Sequence, residues 1–291
     1  MLRKSQLCRY LRVLLLSLVF FAGGCPPKVE LLPICPGRQS AAEAISALRS
    51  RAEKAGPLRA NGQCRIQFNT QNKKHPENFS IKLWVNPPAQ FYLQGDVGFD
   101  ARGVLVGSNS EEFWVWIRPK EISSYWWGRW SDGAQLERMV ISPRMVLEGL
   151  GIASVDADDG QGAWSLSNRG PYDILTRRGE DGSVIKKLYV AACDYSVRKI
   201  EYFDASGKVS AFVELSGYTQ AGEDFSIPAV IKITNRQAGG DDSARITLNP
   251  DSVKAMAFNR KQIDYLFTRP EPKGFKQVWM YIDGHWVEQR Y

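Results

Sequence analysis

Histidine is almost missing from this chain. His75, in NKKHPEN, and His285, in IDGHWVE, are the two among its 291 residues. A Ser-His-Asp or Cys-His site would have to use one of them, and both stand in polar turn sequence, where surface placement is the simpler reading. Cysteine is sparse as well, five in all and none in a CxxC pair. With two histidines far apart in sequence, that argues against a His/Cys metal cluster. No G-x-S-x-G, P-loop or G-x-G-x-x-G occurs. The acidic run DADDG (156–160) puts Gly160 where a calcium ligand belongs and has no glutamate at the twelfth position, so it reads as a solvated loop. Carboxylate pairs for glycoside hydrolysis come from distant strands and leave no local mark; a hydrolase of that kind is the weakest of the readings kept here. No cofactor is implied, and a non-catalytic protein is expected.

Acidic residues are absent from the first 29 positions. Arg3, Lys4, Arg9 and Arg12 precede VLLLSLVFFA (13–22), and small residues follow. The apolar run is about half the roughly 20 residues a spanning helix needs; a basic head, a short apolar run and small residues describe a secretory signal. Ala22-Gly23-Gly24-Cys25 resembles a bacterial lipobox, with alanine where leucine is usual. That resemblance implies cleavage before Cys25 and acylation of its thiol; the plainer alternative is an ordinary cleaved signal. The expected division is signal peptide 1–24, lipidated tether 25–39 (PPKVELLPICPGR and its flanks) and one domain over 40–291.

Loss of the signal changes the charge argument. The full chain has 38 basic and 31 acidic residues and a net charge of +7. Four basic residues leave with the signal, so the mature chain stands at +3. No basic run or stripe remains to suggest nucleic acid. With Cys8 lost and Cys25 acylated, Cys35, Cys64 and Cys193 remain as thiols. Outside the cytoplasm a disulfide is permitted, and Cys35–Cys64 is the expected pair because it would tie the tether to the first strand. Unbridged buried thiols are the alternative.

Ser40 caps SAAEAISALRSRAEKAG, whose Ala41, Ala44, Ile45 and Leu48 recur at helical spacing before Gly56-Pro57. A second helix is expected in SPRMVLEGLGI (142–152). The rest reads as about twelve short strands with hairpin-like turns such as GEDG (179–182), DASG (204–207) and AGED (221–224). Crossover helices are missing, so the sheet should be antiparallel. The fold class is mainly β, a long antiparallel meander curled toward an incompletely closed barrel with helices on one side.

Tryptophan is what the chain has in excess. Nine occur, five of them in EEFWVWIRPKEISSYWWGRW (111–130). Neighbours in a strand point to opposite faces, so Phe113, Val115 and Ile117 share one side while Trp114 and Trp116 share the other. Both sides are apolar, and both must be covered. A core below and a helix above meets that need. A cavity for an apolar ligand meets it too, since indoles suit acyl chains. The residues expected to line that cavity are Trp84, Tyr92, Trp114, Trp116, Trp126 and Trp127, with the Phe113/Val115 face as the equal alternative.

The run NPPAQFYLQGDVGFDARGVLVGSNSEEFWVWIRPKEISSYWWG and the later VRKIEYFDASGKVSAFVELSGYTQAGEDFSIPAVIKITN resemble the LolA/LolB-like carriers of bacterial lipoproteins. The resemblance spans roughly residues 40 to 250 and lies in pattern and order rather than in one motif. It implies an open antiparallel barrel with a helical lid over a cavity for acyl chains of lipoproteins or lipids. Two departures stand out: this chain is longer, and Cys25 adds an anchor. The expectation is a monomeric lipoprotein of the cell envelope, held to a membrane by its N-terminal lipid and facing the periplasm. Pro26 in place of an acidic residue after Cys25 favours the outer membrane. An envelope carrier or transporter is a candidate partner. The rival from another class is a structural or interaction lipoprotein with no lipid cargo.

Overall fold

The computed structural model describes residues 32–290 apart from 71–72, 99, 120–121, 133–138, 140, 154–162 and 237–239. Cys25, the rest of the signal and the DADDG turn lie outside the described residues. Contacts divide the chain after Pro33, and the unit Ile34–Tyr291 carries the fold.

Helix α1 (Ala41–Ala52) begins where the Ser40 hydroxyl accepts from the Glu43 amide at 3.2 Å, satisfying one of the orphan donors of a helix start. Its buried side is Ala44, Ile45 and Leu48, three of the four residues whose spacing marks the helix. Arg49 and Arg51 in its last turn suit the negative end of the dipole. Helix α2 (Pro143–Gly149) starts the same way, on Ser142, with Pro143 in its first turn.

Two antiparallel meanders make the sheet. The first runs β1 (Leu58–Thr70), β2 (Lys73–Asn86), β3 (Gln90–Val97), β4 (Asp100–Ser108), β5 (Glu112–Ile117) and β6 (Ser124–Arg129). The second runs β7 (Trp164–Arg169), β8 (Tyr172–Arg178), β9 (Val184–Ala191), β10 (Val197–Phe203), β11 (Val209–Gln220), β12 (Ser226–Asn235) and β13 (Asp242–Leu248). Pairing of β1 with β13 joins them into one sheet. A two-residue strand β14 (Lys254–Ala255) adds to the start of β1. Helix α3 (Arg260–Leu266) follows, then β15 (Gln277–Ile282) and β16 (His285–Gln289). The sheet is open, with β16 at one edge and β7 at the other, as the incompletely closed arrangement requires.

One face of this sheet holds the main core, from Leu58, Ile81 and Leu83 through Val106 and Val115 to Val213, Ile231 and Ile246. Helix α1 lies against β7 and β8, and α2 against β4, β10, β11 and β12. Both helices therefore cover the same face.

Three features depart from the expected plan. β13, β14, β16 and α3 are elements beyond those read from the sequence. β13, DSARITL, offers an alternation of buried Ala244, Ile246 and Leu248 with exposed Arg245 and Thr247, a faint signal beside its Val/Ile-rich neighbours. β15 pairs parallel with β6, Gln277 opposite Ser124 through Tyr281 opposite Gly128. A parallel neighbour needs a long connection, and here that connection is the entire second meander rather than a crossover helix.

The third departure is the disulfide. Cys35 is bonded to Cys193, not to Cys64. Cys64 sits in mid-β1 with its thiol in the core, 1% exposed, out of reach of a surface segment. Cys193 stands in the turn between β9 and β10. Residues 34–39 dock there: the Arg38 amide donates to Asp173 Oδ2 at 2.9 Å, and Asn168 Nδ2 donates to the Arg38 carbonyl at 3.2 Å. The last part of the expected tether is thus held to the body.

Candidate functional site

The tryptophan-rich strands do have two apolar faces, and each has its own cover. Cross-strand pairing sets Trp114 opposite Trp127 and Trp116 opposite Tyr125 on one side, and Val115 opposite Trp126 on the other. Tyr92, Leu105, Trp114, Trp116, Tyr125 and Trp127 form a cluster on the outer face, with Trp84 against it. The cover is the C-terminal segment: Phe258 ahead of α3, Ile263 and Leu266 of α3, Phe267, Phe275 and then Val278 and Met280 of β15.

Polar contacts pin that segment down. The Tyr125 hydroxyl donates to the Pro270 carbonyl at 2.7 Å, and Asn109 Nδ2 donates to the Phe267 carbonyl at 3.0 Å. Arg269 stacks its guanidinium 3.8 Å over the Trp127 ring and pairs with Glu112 at 2.8 Å. Arg118 lies between Trp116 and Phe275, 4.8 and 5.3 Å from their ring centres. Packing is tight enough that a Cβ added at Gly107 would stand 2.4 Å from the Trp114 indole. This is a filled second core.

The expectation that Trp84, Tyr92, Trp114, Trp116, Trp126 and Trp127 line a cavity is therefore corrected. Five of them share the outer face, which their own chain fills. Trp126 points the other way, into the main core. None borders the cavity described next. The pattern of the strands gives face but not occupant. The sparse apolar residues of FNRKQIDYLFTRPEPKGF (258–275) were the available sign that something returns to cover the indoles.

The cavity lies on the opposite, helix-covered face, between α1, α2 and strands β7 to β10. Its volume is about 480 Å³, within the range of small-molecule sites. Leu48 of α1, Leu147 of α2, Leu188 of β9 and Val197 and Ile200 of β10 give it apolar walls. Trp130 and Trp164 also border it. Helical periodicity places Leu48 and Arg51 on α1 so that both reach the cavity; the same holds for Arg144, Leu147 and Glu148 on α2.

Charged side chains share this lining: Arg51, Arg144, Glu148, Arg177 and Lys186. Glu148 is engaged by Lys186 Nζ at 2.9 Å and by the Tyr202 hydroxyl, which donates to it at 2.6 Å. Burial alone would raise the Glu148 carboxyl, but Lys186, Tyr202 and Arg144 outweigh it and hold the group below its ordinary 4.5. Burial lowers the Arg51 guanidinium from its usual value; its Nη2 donates to the Ser226 carbonyl at 2.6 Å. Arg144 lies 5.3 Å over the Trp130 ring and Arg177 5.9 Å over Trp164. The Nε of Arg51 and the indole Nε1 of Trp164 are buried with no hydrogen-bond partner.

Both histidines are exposed. His75 stacks on Phe68 at 5.4 Å, and His285 Nδ1 lies 3.0 Å from the Asp283 carbonyl. Neither borders the cavity. Among the described residues, no group of three or more His, Cys, Asp or Glu side chains is placed to hold a metal ion, and no helix is long and apolar enough to cross a membrane.

A domain assigned to outer membrane lipoprotein sorting in Vibrio parahaemolyticus superposes on this chain with a TM-score of 0.55, over 77% of this chain and 97% of that one, at 13% identity. A LolA superfamily protein from Nitrosomonas europaea gives a TM-score of 0.50 over 80% and 99% of the two chains, at 12% identity. This chain has the LolA/LolB-like fold. A DUF1329 family protein from Desulfovibrio piger matches similarly, with a TM-score of 0.51 at 14% identity over 77% and 96% of the chains. No family model matches the sequence, and no curated relative does. At these identities the likeness speaks for the fold alone. The LolA-like sheet and its two helices are the frame that encloses the cavity.

Proposed function

We propose that this protein is a membrane-anchored lipoprotein of the cell envelope that takes acyl chains of lipoproteins or lipids into the cavity beneath α1 and α2, without making or breaking a bond. The observation that carries the reading is the apolar-walled cavity of about 480 Å³ on the helix-covered face of a LolA/LolB-like sheet. Its Leu48, Leu147, Leu188, Val197 and Ile200 offer a chain the burial that drives binding. Each methylene contributes at most about 0.8 kcal/mol, less the ordering of chain and walls, so a long chain is held yet can be released when a helix shifts.

Cys25 is the proposed site of acylation, with the protein facing the periplasm from the outer membrane. The Cys35–Cys193 bond supports an oxidising compartment. A carrier or transporter of the envelope is the proposed source or recipient of the cargo, and the working form is a monomer.

The test is to extract the purified mature protein with organic solvent, identify co-purified lipid, and titrate the stripped protein with a fluorescent fatty acid. Uptake that falls at least tenfold in Leu188→Arg, with the fold retained by circular dichroism, supports the reading. A folded protein with neither lipid nor uptake overturns it. For the anchor, Cys25→Ser should leave membranes for the soluble fraction.

A further inference from the structure

The cavity has a chemical asymmetry that an acyl-chain site alone does not need. Among the described residues its lining holds four cations and one carboxylate, and that carboxylate, Glu148, is already engaged by Lys186 and Tyr202. Arg51 and Arg144 border the same space as the apolar walls. Lys186 is matched by Glu148, so the lining carries more positive charge than its one carboxylate balances, and that excess favours a ligand that is anionic.

We infer that the ligand is an anionic amphiphile, its chain against Leu147, Leu188 and Ile200 and its oxyanion head group held by Arg51 and Arg144. The inference rests on the reading of the cavity as an acyl-chain site and narrows it. An uncharged acylglycerol offers carbonyl acceptors but no charge, whereas a fatty carboxylate or a lipid phosphate answers the cations directly. Arg177, stacked beside Trp164, adds to the positive field on the β8 side.

The experiment compares palmitate, hexadecyl phosphate, hexadecanol and inorganic phosphate on the delipidated full-length mature protein, by displacement of a fluorescent fatty acid. Both chain anions should bind at least tenfold more tightly than hexadecanol, as a charge-assisted hydrogen bond allows; whichever anion is the tighter names the head group. In Arg144→Gln and in Arg51→Gln that ratio should fall below about threefold. Lys232→Gln, at an exposed Lys232–Glu214 pair outside the cavity, should keep the ratio. Retained melting temperature shows that each variant folds.

Equal affinity for hexadecanol and palmitate would overturn the inference while leaving the acyl-chain reading intact. Failure of every chain probe to bind would remove both. Full displacement of palmitate by millimolar inorganic phosphate would point to a free-anion site and also overturn it.

Discussion

Cys64 and Gly107 show how single positions report on the core. Burial in mid-β1 pushes the Cys64 thiol up to about 12. At pH 8 it should be almost wholly protonated and unreactive, since the thiolate is the nucleophile. A chromogenic disulfide reagent should find no reactive thiol in the native mature protein apart from an unacylated Cys25, and one more after unfolding in guanidinium. Two further native thiols would contradict the Cys35–Cys193 pairing. Gly107 faces the Trp114 indole at a distance no Cβ tolerates. Gly107→Ala should therefore destabilise by about 2 kcal/mol, in the range for overpacking, measured by urea unfolding. The need for glycine there was invisible in VLVGSN, because it depends on a side chain from the next strand.

At the scale of elements, α2 is tied to the sheet by Glu148. Its carboxyl is held below 4.5 in the fold, so the ionised form is favoured by folding. The sign follows from linkage: the stabilisation is fully present above the unfolded value and is lost as pH falls through the folded one. Acid unfolding below pH about 4.5 should be steeper in the native protein than in Glu148→Gln. At pH 7 that variant should be less stable by about 2 kcal/mol, because Lys186 and Tyr202 lose a charged partner; parallel acid profiles would refute the assignment. The N-terminal segment depends on its disulfide in the same way. Cys35→Ser should lower stability by about 2–4 kcal/mol, read as a shift in the urea midpoint. The C-terminal elements matter for another reason. Ending the chain after Ala255 removes α3, β15 and β16 and bares Trp114, Trp116 and Trp127. Such a patch invites association, and the truncated protein should bind a hydrophobic dye and aggregate on sizing.

For the whole molecule, two layers of cover on one open sheet divide the work. The C-terminal segment fills the outer face, and the two helices on the other face leave a space. If that space is the ligand site, bound lipid stabilises the fold by mass action, about 2.7 kcal/mol at a hundredfold excess over Kd. The delipidated protein should then melt several degrees lower and recover on adding palmitate. No shift at saturating palmitate would count against the site.

Much of this was legible in the chain. Ser40 and the Ala44–Ile45–Leu48 spacing marked α1; Ser142-Pro143 marked α2; alternation and turn residues marked most strands; and the two-faced pattern of 113–117 stated that both sides are covered. These are local properties, carried by spacing, capping and strand period. Which cover lies on which face is not local. The outer cover comes from Phe258 to Met280, more than a hundred residues later, and the partner of Cys35 lies 158 residues away. Pairwise spacing cannot rank such distant meetings, because chain entropy barely distinguishes them. Tertiary packing decided them: it sealed the indoles into a second core and left the open volume where Arg51, Arg144 and Trp164 border a leucine-lined space.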